Sequence, residues 1–150
     1  MATRGRVLIA GAAVVLLWAG FAYDLSRPAD AKQYRRTMVQ VAEAAHDATR
    51  TGGLVGAQEL AGNVTAAYAT TAFDDATKAL AGAQHKFAGE GPPDDSSAAL
   101  RDRLSPLLSD AVIALGDTAQ APDDQALRDG THRLDMIAGK LRAFVVAYAS

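Results

Sequence analysis

The stretch AKQYRRTMVQVAEAAHDATRTGG at residues 31–53 carries the clearest periodic signal in the sequence. Its apolar side chains recur at steps of three and four, which places them on one face of a helix. They are Ala31, Tyr34, Met38, Val41, Ala45 and Ala48. Glycine disfavours a helix interior, so Gly52-Gly53 predicts that this helix covers residues 31–51 and then turns back in a tight link.

The same period predicts three more helices, over residues 54–88, 96–118 and 123–148. A loop rich in glycine and proline precedes the third helix, and residues 116–122 make the turn before the fourth. The expected inner faces consist of Leu60, Val64, Tyr68, Phe73, Ala76, Leu80, Ala83 and Phe87, then Leu100, Leu104, Leu107, Ala111, Ala114 and Thr118, then Leu127, Leu134, Ala138, Leu141, Val145 and Tyr148.

Two places within these helices oppose an unbroken helical run. Thr70-Thr71 followed by Asp74 resembles a fresh N-cap, so we expect a kink or break in the second helix there. Pro106 lacks a backbone N–H, so we expect the third helix to bend or restart at that residue.

The composition favours closely packed helices over any other architecture. Hydrophobic residues make up 49% of the chain but aromatic residues only 6%, and the excess is alanine. Alanine is both the best helix former and a small core residue. No segment alternates with a two-residue period for long enough to form a strand. The predicted fold class is all-α, with residues 31–150 forming an up-down-up-down antiparallel bundle of about four helices.

The N-terminal part of the sequence has the form of a membrane-targeting segment. Residues 1–6 are a short basic tail, residues 7–25 contain an apolar run without charge until Asp24, and residues 26–30 form a linker. At about 1.5 Å per residue the run covers about 25 Å, just short of a hydrocarbon core of about 30 Å. The prediction is a single transmembrane anchor or the apolar region of a signal peptide.

The ends of this segment carry residues suited to the membrane interface. They are Arg4, Arg6, Trp18 and Tyr23. Tryptophan and tyrosine favour the headgroup boundary, which favours an anchor that stays in place. Ala29-Asp30-Ala31 supplies the small-x-small pattern of a signal peptidase site, so cleavage near Ala31 is the competing interpretation.

Two features of the sequence predict opposite orientations of the apolar run in the membrane. The basic N-terminal tail has the form of a signal sequence, which places the domain outside the cytoplasm. More basic residues follow the apolar run than precede it, and their number alone would place the domain inside. Those that follow are Arg27, Lys32, Arg35 and Arg36. We expect the extracytoplasmic side, because only Arg27 lies close to the apolar run.

Two carboxylate-x-x-His pairs are the pattern that most resembles a metal site. They are Glu43 with His46 on the first helix and Asp129 with His132 on the last. Such pairs hold metal ions in ferritin-like bundles, and here we expect both pairs at the same end of the bundle. Both pairs nevertheless project away from the apolar faces of their helices. We therefore favour surface polar residues over metal ligands.

Other chemistry finds little support in the sequence. The absence of cysteine excludes disulfides and thiol catalysis, and no nucleophile motif or phosphate loop is present. The net charge is −2, and no basic face with interleaved aromatic residues indicates a nucleic-acid partner. The densest basic cluster, Lys32, Arg35 and Arg36, is interpreted as juxtamembrane. We expect neither an enzyme nor a cofactor.

These observations favour a non-enzymatic accessory or scaffold protein of the bacterial cell membrane. A single anchor would hold a small extracytoplasmic bundle, whose partners are the lipid bilayer and a larger membrane or envelope complex. Two alternatives remain: a secreted ligand-binding bundle after cleavage near Ala31, and a sensor-like domain that acts through a partner.

Overall fold

The computed structural model describes residues 31–150, which form four α-helices and no strand. The helices are α1 (Ala31–Leu60), α2 (Ala66–Gly89), α3 (Asp95–Ala119) and α4 (Asp124–Tyr148). The prediction of an all-α fold with four helices is confirmed.

The predicted tail, anchor and linker at residues 1–30 lie outside the described residues. The membrane-interface candidates Arg4, Arg6, Trp18 and Tyr23 lie there as well. Among α1 to α4, no helix combines the length and the apolar character that crossing a membrane requires.

Each helix runs antiparallel to the one before it. Lys86, near the end of α2, donates a hydrogen bond of 2.8 Å to Gln40 in the first half of α1. Arg103, near the start of α3, donates to the hydroxyl of Tyr148 at the end of α4. Within residues 31–150, α1 packs against all three other helices, whereas α2 and α4 lie diagonally opposite and bring no Cα atoms within 8 Å of each other. The helix α1 is therefore the centre of the bundle.

The glycine pair expected to end α1 lies inside it. Gly52 and Gly53 are buried, and α1 continues through them to Leu60. A Cβ atom added to Gly52 would overlap Leu115 and lie 3.3 Å from Leu134 Cδ1. The prediction of a turn at this pair is wrong. The two glycines lack side chains, and this allows neighbouring helices to pack closely against α1.

The turn after α1 is built around Gly62 instead. Gly62 has a φ of 68°, which glycine adopts without strain. Its N–H donates to the Glu59 carbonyl, and the N–H of Asn63 donates to the Gln58 carbonyl, both at 2.9 Å. This pair of bonds is a Schellman motif, which ends α1 and satisfies its last carbonyl groups.

The second helix accordingly begins later than predicted and is not broken. Thr65 is its N-cap and accepts a hydrogen bond of 3.2 Å from the Tyr68 N–H. The hydroxyls of Thr70 and Thr71 donate to carbonyls of the preceding turn, so the break predicted there is wrong. Tyr68, predicted to face inward, is 60% exposed because it lies in the first turn of α2, on its outer side.

The third helix also runs without interruption. Pro106 lies within α3 on its exposed face, where water can satisfy the carbonyl that its missing N–H leaves free. Leu108 is buried in place of the predicted Leu107, which packs at the edge of the core. Most of the other predicted inward residues of α1, α3 and α4 are buried as expected.

Buried hydroxyl groups in the core bond to their own helices. Thr49, Thr118 and Thr131 donate to the carbonyl four residues earlier, at 2.5, 2.6 and 2.8 Å. Tyr34 differs, because its buried hydroxyl has no hydrogen-bond partner among residues 31–150.

We expect Tyr34→Phe to raise the free energy of unfolding by roughly 1 kcal/mol, because it removes a buried polar group that makes no bond and keeps the ring. Chemical denaturation followed by circular dichroism measures the change. Tyr68→Phe is the control, since that side chain is exposed, and it should change stability little. A marked loss of stability in Tyr34→Phe alone would show that the hydroxyl is bonded in solution.

The contact between Gly130 of α4 and Thr118 of α3 gives a second test. A Cβ atom on Gly130 would overlap the Thr118 hydroxyl and lie 3.2 Å from its Cα atom. We expect Gly130→Ala to lower the free energy of unfolding by roughly 1–3 kcal/mol, which outweighs the helix propensity gained. Denaturant unfolding measures it.

The matched control is Gly139→Ala on the same helix, where the added Cβ atom meets nothing within 4 Å. That substitution should raise stability by about 0.5–1 kcal/mol. Equal effects of the two variants would contradict the close packing of α3 against α4.

Candidate functional site

The candidate site is the end of the bundle at which α1 and α3 begin and α4 ends. Two grooves meet there on either side of Tyr148, and both are lined by Lys32 and Arg35. The first groove adds Ser96, Ser97 and Leu100, and the second adds Arg36, Val39, Gln40, Glu43 and Ser150. We call the surface formed by Lys32, Arg35, Arg36, Arg103 and Tyr148 the basic end.

Tyr148 organises this surface. Its ring packs against Phe144 with a centroid separation of 4.8 Å and an angle of 48° between the rings. Its hydroxyl accepts the hydrogen bond from Arg103, which brings that guanidinium across from α3. The two helices thus place a cation beside those of α1.

Arg35 and Arg36 are exposed and form no ion pair with any carboxylate of residues 31–150. Elsewhere in the bundle, Lys78 pairs with Asp74 at 2.7 Å and Arg133 with Asp117 at 3.2 Å, whereas Arg128 donates to the Gln125 side chain. Arg35 and Arg36 are therefore available to an external anion.

The position of these cations does not help α1 to form. The N-terminus of a helix carries partial positive charge, so basic residues there are unfavourable. The helices α3 and α4 follow this rule, with Asp95 and Asp124 in their first turns, whereas α1 and α2 have no acidic residue there and only α1 begins with a basic one. Helix stability therefore does not account for the basic residues of α1.

Arg101 lies near this surface but has a structural role. Its guanidinium lies 4.3 Å from the ring centroid of Phe87 and donates to the carbonyl groups of Phe87 and Glu90, at 3.1 and 2.5 Å. These bonds fasten the link between α2 and α3. Arg101 is consequently not assigned to the basic end.

Asp94 caps α3 beside the first groove. Its carboxylate accepts the Ser97 backbone N–H at 2.7 Å and the Ser96 hydroxyl at 2.8 Å. The Ser97 N–H, followed by the serine hydroxyls, lowers the pKa of Asp94 below its ordinary value. The folded state thus favours the ionised carboxylate.

A carboxyl group whose pKa is lowered in the folded state stabilises the fold at any pH above its ordinary pKa. That stabilisation is lost as the pH falls through the pKa of the folded state. We expect Asp94→Ala to lower the thermal midpoint at neutral pH. In acid, the thermal midpoints of the variant and of the unsubstituted chain should lie closer together. Thermal unfolding at a series of pH values measures the difference. Asp102→Ala, exposed on the same helix, should change the midpoint little. A difference for Asp94→Ala that is constant with pH would contradict the capping role.

The four candidate metal ligands do not come together. A Cβ atom on Gly56 would lie 3.5 Å from Leu127 Cδ1, so the Asp129–His132 turn lies beside the last part of α1. His46 lies ten residues before Gly56, or about 15 Å along the helix. The expectation that both pairs share one level is wrong, because α1 continues past residue 51 and its register against α4 shifts.

The individual candidates make local contacts. His46 Nδ1 lies 3.0 Å from a carboxylate oxygen of Asp47, and Asp129 accepts a hydrogen bond of 3.0 Å from Gln125. Glu43 and His132 are exposed. In the described part of the chain, no group of three or more His, Asp or Glu side chains is arranged to hold a metal ion.

Comparisons of the chain with protein-family models, with curated proteins and with solved structures find no match. The function is therefore inferred from the geometry of residues 31–150. That geometry offers an exposed basic surface suited to anionic groups.

Proposed function

We propose that this protein is a non-enzymatic accessory protein of the bacterial cell membrane. A segment at residues 7–25 anchors it, and its helical bundle is presented on the extracytoplasmic side to a larger membrane or envelope complex. The observation that carries the proposed anchor is where α1 begins, and the proposed side of the membrane follows from the signal-like form of the basic tail. Ala31 lines the basic end, so residues 1–30, which contain the apolar run, join the bundle at its cationic surface.

This placement is the one that a membrane anchor favours. Anionic lipids attract basic residues that lie next to a membrane segment. The acidic residues concentrate at the opposite end, where the bundle would extend away from the bilayer. They are Glu59, Asp74, Asp75, Asp117, Asp123, Asp124 and Asp129, and we call this surface the acidic end.

For the protein partner, α3 offers the adjacent apolar residues Val112 and Ile113. Ile113 is 55% exposed, and both lie in the half of α3 remote from the basic end. Apolar side chains that remain in water are available for burial in an interface. We propose this side of α3 as the contact with the larger complex.

Fractionation of cells that express the full chain tests the anchor and its direction. We expect a chain of uncleaved mass in the membrane fraction that detergent, but not high salt, releases. Because the sequence has no cysteine, a single Gln120→Cys variant can be labelled selectively. A membrane-impermeant maleimide should label it in intact spheroplasts.

Two outcomes would overturn this proposal. A soluble species beginning near Lys32 would support the secreted bundle instead, and labelling only after cell lysis would place the bundle inside the cell.

Gentle detergent extraction and affinity capture test the partner. We expect Ile113→Lys to lose the captured complex by at least roughly tenfold, because a buried interface residue contributes on the order of 1–2 kcal/mol. Val146→Lys is the matched control: Val146 is 69% exposed, and it lies near the basic end on α4. Equal capture by both variants would contradict the α3 contact.

A further inference from the structure

We infer that the basic end is a docking surface for anionic phospholipid headgroups, which holds the bundle end-on against the bilayer. The inference rests on the proposed anchor for its tether, but it concerns a separate contact made by the folded bundle. It predicts that lipid charge, and not the anchor alone, sets the orientation of the bundle.

The first support is the chemistry of the basic end. Guanidinium groups match phosphate oxygens with paired donors, and Arg35 and Arg36 present two of them without a carboxylate partner among residues 31–150. Arg103, held by Tyr148, adds a third guanidinium at the same surface. Four carboxylates lie nearby: Glu43 lines the second groove, Asp94 is engaged by Ser96 and Ser97, and Asp95 and Asp102 are exposed in the first two turns of α3.

The second support is the uneven distribution of charge along the bundle. The acidic end lies at the far ends of the helices, where Lys78 and Arg133 are already paired with aspartates. An anionic surface attracts the basic end and repels the acidic end. Both forces favour the same orientation.

The third support is the short distance between the apolar run and α1. Only residues 24–30 separate Tyr23 from Ala31, and seven residues span at most about 25 Å even when fully extended. An anchor within the bilayer would keep the basic end close to the headgroups. A tether of this length gives the surface a high effective concentration, so weak individual contacts suffice.

The placement of Lys32, Arg35 and Arg36 allows a structural role to be separated from a binding role. Lys32 lies in the first turn of α1, where a basic residue is unfavourable, and Arg35 and Arg36 follow in the second turn, where the helix terminus has little effect. If these residues served the fold, their reversal would destabilise the bundle. Arg35 and Arg36 are exposed and pair with no carboxylate of residues 31–150, so their reversal should instead change stability little. A loss of docking in a variant of undiminished stability then reports binding alone.

The test uses the full chain in lipid nanodiscs of phosphatidylcholine alone or mixed with phosphatidylglycerol. Single cysteines at the exposed positions Ala99 and Gln120 carry a donor fluorophore near the basic end and the acidic end, and the acceptor is a headgroup-labelled lipid. These positions lie roughly 30 Å apart along α3. With phosphatidylglycerol we expect more energy transfer from Ala99 and less from Gln120, and high salt should remove the difference.

Charge-reversal variants assign the effect to residues. Since each basic residue near an anionic surface changes the equilibrium several-fold, Arg35→Glu with Arg36→Glu should reduce the ratio of docked to undocked bundle by roughly tenfold or more. The matched control is Arg50→Glu with Arg128→Glu, which makes the same change of charge away from the basic end. It should not reduce docking, because it leaves the basic end intact and adds negative charge elsewhere, and thermal unfolding checks both variants.

Equal energy transfer in the two lipid mixtures, or equal losses in the two variant pairs, would overturn the docking surface. Failure of the anchor gives a different result. In that case the chain would not float with phosphatidylcholine vesicles at high salt, yet docking would still bind it to phosphatidylglycerol vesicles at low salt. The two proposals therefore fail separately.

Discussion

The bundle depends on the close approach of α1 to the helices around it. Gly52 and Gly56 leave no room for a side chain against their neighbours, and Gly130 does the same where α4 meets α3. Backbone and short side chains make these contacts, so a shift of one helix along another would bring atoms into overlap. The register that results decides which charged residues gather at each end of the molecule.

The sequence alone predicted the faces of the helices better than their ends. The stripes from Tyr34 to Ala48 and from Leu127 to Leu141 follow the helical period, and the core confirms them. The same residue type has two uses at the ends: Gly52 packs within α1, whereas Gly62 stops it. The packing of the neighbouring helices decides which role a glycine has, and a short stretch of sequence does not reveal that packing.

The candidate site was predictable in part for the same reason. The cluster of Lys32, Arg35 and Arg36 is visible in one short stretch of sequence. Arg103 and Tyr148, by contrast, lie 45 residues apart and meet only through the register of α3 against α4. The predicted antiparallel order of the helices already places the start of the third helix at the same end as the start of the first. Sorting the charged residues by end would therefore have added Arg103 to the cluster. The two carboxylate-histidine pairs were predicted to lie at the same end of the bundle. That prediction was wrong because α1 is longer than predicted, which changes its register against α4.

The inward-turned hydroxyls of the core have a mechanical consequence. Thr49, Thr118 and Thr131 each bond to a carbonyl of their own helix, and the hydrogen bonds that join different helices lie at the surface or its edge. The buried hydroxyls of these threonines thus bond within α1, α3 and α4 and do not join one helix to another. Rotation of one of these helices about its axis would break no buried hydrogen bond to a neighbouring helix. Only the packing of side chains opposes the rotation, so the close contacts at the buried glycines keep the helices in register.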